Sequence, residues 1–275
     1  MRHLIAAILA ASLAAAAPAV GQESSHDQPQ PPRQKWSFAG PFGTYDQAQL
    51  QRGYKVYKEV CSLCHAMSLV SFRNLGDPGA LGYSEAQIKA LASEFEYPAD
   101  PNDQNPDKPR KGRPADRFPP PTTKIPNATP PDLSVIAKAR TFESGFPRFI
   151  FDAFTQYQEQ GVDYISAFLT GYEENPPPDI TLAPGTYYNK YFPGHAVAMP
   201  KPAQLFSNLV VYDDGTPTTP EQYAKDVAAF LMWAAEPHLI ERKRTGFQVM
   251  IFLVVLAGLL YFTKKKVWSD VHGHA

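Results

Sequence analysis

Read for its pattern of apolar and polar positions, the chain has two apolar ends and a long, irregular middle. Leu4 to Ala17 is almost wholly apolar, and Phe247 to Phe262 carries no charge. Between them helical periodicity is local. Leu50, Tyr54 and Tyr57 fall at i, i+4 and i+7, one stripe of a helix. Asp46 is placed to cap that helix, with Gln49 three residues on as the second half of a capping box. Gly53 inside it costs about 1 kcal/mol relative to Ala, which a close backbone contact with another element would explain. Leu133 to Ala139 and Phe146 to Tyr157 can also be helical.

Thr219 opens the best-marked helix. Thr219 caps it, Pro220 occupies the first turn, Gln222 completes a capping box, and Val227, Phe230, Leu231 and Ala234 form its buried face. Pro237 ends it. Asn175 to Pro178 is a break, and Tyr187 to Leu205 has no useful period. There is no internal repeat and no strong strand pattern. The predicted fold class is mainly α with long ordered loops, which 28 prolines require.

The two apolar ends differ in kind. The first follows Met-Arg-His, is short and Ala-rich, and leads to Ala19 and Gly21, spaced as a signal peptidase needs. Residues 1–21 read as a bacterial secretory signal peptide, cut near Gln22. The second, extended by Thr245, Gly246 and Thr263, is 19 residues long. At about 1.5 Å per residue it spans roughly 28 Å, enough for one transmembrane helix over 245–263. Charges flank it on both sides, Glu241 to Arg244 and Lys264 to Lys266. With export of the N-terminal side, 22–244 becomes a periplasmic domain and 264–275 a cytoplasmic tail on a bacterial inner membrane. The basic flanks do not orient the helix by themselves. A formal net charge of -1 gives no basic footprint for nucleic acid.

Ala99 to Pro131 is the longest loop, and it splits by sign. Glu94, Glu96, Asp100, Asp103 and Asp107 come first; Lys108, Arg110, Lys111 and Arg113 follow. A solvated surface loop accounts for this, and an electrostatic docking surface is the sharper alternative.

Only two cysteines are present, and they form Cys61-Ser62-Leu63-Cys64-His65. A disulfide or a redox Cys-x-x-Cys explains the spacing but not the histidine. Chance produces the whole motif in about 1 chain in 5000 of this composition. A zinc site would need further ligands. The motif fits one covalent haem c: two thiols on a turn each form a thioether to a vinyl group, and His65 faces the iron. The second axial position decides the job. Left open, it permits gas binding or peroxidase chemistry; closed, it favours electron transfer. Met67 is too near His65 to reach the opposite face. Met232 reads as core and Met250 as anchor. His195 and Met199, both in the irregular Pro/Gly stretch, remain as candidates.

Beyond the haem motif, the order of motifs resembles the cytochrome c1 family of alphaproteobacterial type. That family supplies the haem-c subunit of the cytochrome bc1 (ubiquinol–cytochrome c reductase) complex. The resemblance runs through Trp36 to Tyr45, Arg52 to Leu75, Pro130-Pro131-Asp132-Leu133-Ser134, Ala139-Arg140 and Leu169-Thr170-Gly171-Tyr172. It continues through Tyr191-Phe192-Pro193-Gly194, Ala198-Met199-Pro200, Asp213 to Pro217, and Trp233 to Pro237 before the anchor. It implies a cytochrome c-like haem domain in which Met199 is the sixth ligand and Arg140 reaches a haem propionate. It also implies that Pro130-Pro131 packs on the haem and that Asn127 lines the pocket. The implied partners are cytochrome b, the Rieske iron–sulfur protein, cytochrome c and membrane lipid, in a dimeric complex. The implied task is a relay without catalytic side chains.

Overall fold

The structure, a computed structural model, describes residues 29–100, 107–121, 123, 125, 129–142, 147–155, 157–178, 180–202 and 210–269. Residues 1–28, the predicted signal peptide among them, lie outside it, as do Asn127 and the end of the predicted tail.

Seven helices appear among the described residues: α1 (Gln47–Glu59), α2 (Glu85–Ser93), α3 (Ile136–Ala139), α4 (Arg148–Thr155), α5 (Gln160–Thr170), α6 (Pro220–Ala235) and α7 (Leu239–Val267). Two hairpins of two-residue strands accompany them. β1 (Glu96–Tyr97) pairs antiparallel with β2 (Arg110–Lys111), and β3 (Tyr187–Tyr188) with β4 (Ala196–Val197). The mainly α prediction holds.

The core is built around α6. It packs on α1, α5 and α3, so it has no solvent face for most of its length. Tyr223 to Trp233 is buried almost continuously, well beyond the single predicted face. The stripe on α1 is as predicted: Leu50, Tyr54 and Tyr57 are all buried, with Tyr54 and Tyr57 each 5.7 Å from the Phe230 ring. Gly53 is the crossing point, because a Cβ there would lie 2.1 Å from the Asp226 carbonyl oxygen.

Both predicted caps form, but neither capping box closes. Asp46 accepts from the Ala48 and Gln49 amides at 3.0 and 3.3 Å, and Thr219 accepts from the Gln222 amide at 3.2 Å. The Gln49 and Gln222 side chains turn instead to buried Asp226, at 3.2 and 2.9 Å. With Arg52 Nε at 2.9 Å, they supply the donors that a fully buried carboxylate requires.

Helix α5 was not predicted. It is buried on nearly every side, and its Asp163 accepts from the Gln34 amide (2.9 Å), from Trp36 Nε1 (2.8 Å) and from the Tyr157 hydroxyl. This carboxylate straps the N-terminal segment onto the domain. Opposite charges pair around the charge-split loop: Lys58 of α1 with Glu94 (2.6 Å), Lys111 with Glu96 (3.2 Å) and Arg113 with Asp100 (3.4 Å).

Helix α7 leaves the core three residues after α6. None of its apolar window is buried, so the alternative of a core helix is excluded, and by length and composition it can cross a membrane. Glu236 fastens the junction, pairing with Lys138 at 2.7 Å and with Arg242.

Candidate functional site

Helix α1 ends at Glu59, and the chain tightens into a 3₁₀ turn over Cys61–Leu63. The Cys64 and His65 amides both return to the Cys61 carbonyl, at 3.1 and 2.9 Å. One acceptor thus fixes all three motif residues relative to each other. Both thiols are free and half-buried. Burial, with a smaller contribution from Cys64, pushes the Cys61 thiol up to about 12. No group of three or more His, Cys, Asp or Glu among the described residues is arranged to hold a metal ion by itself.

His65 is oriented by Pro131. Its Nδ1 lies 2.8 Å from the Pro131 carbonyl oxygen. A carbonyl only accepts, so Nδ1 carries the proton and the Nε2 lone pair is left for a metal. Burial pulls the His65 pKa down, against a smaller upward pull from this hydrogen bond. A neutral imidazole with Nε2 free is the ligating form.

The Pro131 carbonyl is itself held in place. The Leu133 amide donates to the Ala66 carbonyl at 2.8 Å. Asp132 Oδ2 accepts from the Ser68 amide (2.9 Å) and hydroxyl (2.6 Å), while Oδ1 accepts from the Ser134 amide (2.7 Å). Burial alone would raise the Asp132 pKa, but the hydrogen bonds from Ser134 and Ser68 outweigh it and hold the carboxyl at about 2. Sequence reading missed this clamp, although Asp132-Leu133-Ser134 carries the spacing of an Asx turn.

The structure gives the two candidate sixth ligands different surroundings. His195 is built into the β3–β4 hairpin. It has φ 59°, stacks on Tyr188, and has Nδ1 at 3.2 Å from the Asn189 carbonyl. Met199 follows β4 by two residues and is half-buried against the core. Its backbone carbonyl accepts from the Tyr172 hydroxyl at 3.1 Å, just beyond α5. Burial raises the Tyr172 pKa, so this donor stays protonated.

Arg140 caps the C-terminus of α3 and is exposed. Its guanidinium makes no ion pair among the described residues. Its backbone is fixed, because α5 crosses α3 at Gly161, where a Cβ would lie 1.7 Å from the Ala137 carbonyl. Pro130 is half-buried and Pro131 exposed. Cys61, Cys64, His65 and Pro131 thus meet at one place, while Met199 and Arg140 are positioned by other elements. Two free thiols beside one neutral imidazole, on a single turn, fit a haem held by two thioethers and one axial nitrogen.

Comparison with known proteins points to one family. The model of the Cytochrome C1 family matches residues 36–271. Cytochrome c1 of Blastochloris viridis is 48% identical over 94% of this chain and 92% of its own length. The mitochondrial cytochrome c1 haem protein of Kluyveromyces lactis is 42% identical over 86% of the chain and 75% of its own. Cytochrome b/c1 of Bradyrhizobium diazoefficiens is 58% identical over 88% of the chain, which spans only 36% of that longer protein. On the extent of the family match and on relatives in both bacteria and mitochondria, the chain belongs to the cytochrome c1 family.

Proposed function

We propose that this chain is the haem-c subunit of a ubiquinol–cytochrome c reductase (bc1) complex. It takes one electron from the Rieske iron–sulfur protein and hands it to cytochrome c. The observation that carries the reading is the His65 Nδ1 to Pro131 carbonyl bond beside two free thiols. When bound, haem c supplies reversible one-electron chemistry at iron. Cys61 and Cys64 would hold it, and His65 and Met199 would be its iron ligands. Arg140 would meet a propionate, and Pro130, Pro131 and Asn127 would line the pocket. No side chain need act as acid, base or nucleophile; the protein sets the potential and positions the haem edge.

The domain faces the periplasm, and Lys264 to Lys266 face the cytoplasm. Cytochrome b is the membrane partner, a reading supported by the Bradyrhizobium relative whose name joins b and c1. Glu173 and Glu174 would steer a basic cytochrome c. Both are exposed and make no ion pair among the described residues.

Met199→Leu tests the closed coordination. A thioether ligand raises the reduction potential. The variant should lose the thioether-to-iron absorption band, lower its potential and let the reduced haem bind carbon monoxide. An unchanged potential sinks the assignment. Co-purification of the wild-type chain with a cytochrome b and a Rieske protein tests the complex itself.

A further inference from the structure

Outside the haem site, the loop from Ser37 to Thr44 meets the anchor helix where its uncharged stretch begins. Ser37 to Thr44 turns back on itself, with the Thr44 amide donating to the Ser37 carbonyl at 3.1 Å and the Ala39 amide to the Trp36 carbonyl at 3.2 Å. Gly40 sits at φ +69°, and a Cβ on Gly43 would lie 2.2 Å from the Ala39 oxygen, so this tight path depends on both glycines. The base of the loop is rigid. Phe38 is buried between Trp36 and Tyr45, with ring centroids at 5.4 and 5.2 Å. Lys243 of α7 donates to the Phe38 carbonyl. The base therefore moves with the anchor.

The tip has the opposite character. Phe42 is 72% exposed, although the loop is built to hold it in one place. Its ring packs edge-on against Phe247, centroids 5.3 Å apart. Phe247 is the first residue of the uncharged stretch of α7 and is itself half-exposed. The loop therefore reaches the level at which lipid-facing surface begins on a helix able to cross a membrane. Arg244, exposed, and Lys243 lie within one turn on the domain side of that level. An aromatic ring at the edge of an apolar span, with cations beside it, matches the layering of a bilayer interface: ring among glycerol and upper acyl carbons, cations at phosphate.

We infer that the Ala39–Gly43 loop is a second membrane contact, which lays Phe42 into the bilayer interface beside the anchor. The occupant of this surface is lipid. The haem domain then rests on the membrane at two points, the junction of α7 and this loop, which fixes its tilt. This inference depends on α7 crossing a membrane and not on the haem chemistry.

Nitroxide labels test it in the full-length chain, in nanodiscs of phosphatidylcholine and phosphatidylglycerol. Phe42→Cys is the probe, Phe247→Cys the membrane reference and Val211→Cys, an exposed site elsewhere on the domain, the aqueous one. Wild-type chain treated alike gives the background from Cys61 and Cys64. Power saturation compares collisions with oxygen and with a water-soluble nickel chelate. The oxygen-to-nickel ratio at Phe42 should approach that at Phe247 and stand several-fold above that at Val211. Because removing the ring can disturb the loop, Pro41→Cys, which keeps the ring and both glycines, is read in parallel and should give the same depth. An aqueous ratio at both loop sites overturns the inference. So does low access to both reagents, which would mean that protein covers the loop.

Discussion

At the scale of single residues, the site depends on where one proton sits. Pro131 fixes it on Nδ1 of His65, and Asp132 fixes Pro131. The motif was legible because thiol chemistry dictates its spacing: Cys61, Cys64 and His65 stand out as candidates from five letters. Asp132 was not, because its work is to accept three hydrogen bonds from Ser68 and Ser134, residues of ordinary composition. It makes a sharp prediction. A carboxyl held at about 2 when folded, against an ordinary value near 3.9, adds stability that is complete above about pH 4 and is lost as pH falls toward 2. Asp132→Asn should lower stability at pH 7 by about 1–2 kcal/mol, the low end for charge-assisted bonds on a partly exposed group. Denaturant midpoints of the two proteins should converge as pH approaches 2. A difference that is the same at pH 7 and pH 2 would refute the clamp.

At the scale of elements, legibility followed burial geometry. Helix α1 has one buried stripe and was read correctly, including the reason for Gly53. Helix α5 was missed because it is enclosed on nearly every side. Asp163 and Ser166 are buried along with Ile165 and Leu169, so no polar face sets a period, and Glu159 at its start makes no side-chain cap. The hairpins escaped notice because two-residue strands cannot show alternation. Gly53→Ala separates propensity from packing. Alone, the change would favour a helix by about 1 kcal/mol. Here the new methyl would meet the Asp226 carbonyl at 2.1 Å and must push α1 off α6. Net destabilisation of about 1–3 kcal/mol is expected by chemical denaturation, as for other overpacked contacts. A stabilised variant would show that the crossing yields easily.

For the whole molecule, charge and attachment set how partners meet it. In sequence the acidic run after Glu94 admitted a docking surface as the sharper alternative to a solvated loop, yet Lys58, Lys111 and Arg113 pair with its Glu94, Glu96 and Asp100. That leaves Glu173 and Glu174 as the better candidates. Reversing both to Lys should slow reduction of a basic cytochrome c by about tenfold at low ionic strength, and the effect should shrink as salt shortens the Debye length below about 8 Å. An unchanged low-salt rate would remove them from the docking surface. The family resemblance was readable because its motifs run in order from Trp36 to Pro237, whereas the contacts between loop and anchor join residues about 205 positions apart and no local pattern announces them. The three-residue link from α6 to α7 has one more consequence. Each residue of a helix turns it by about 100°. Adding one residue to the first turn of α7 would lengthen the anchor by only about 1.5 Å, but would swing Phe247 to another side and carry Lys243 away from Phe38. The junction thus converts sequence length into orientation, so a one-residue insertion there should be far less tolerated than a substitution.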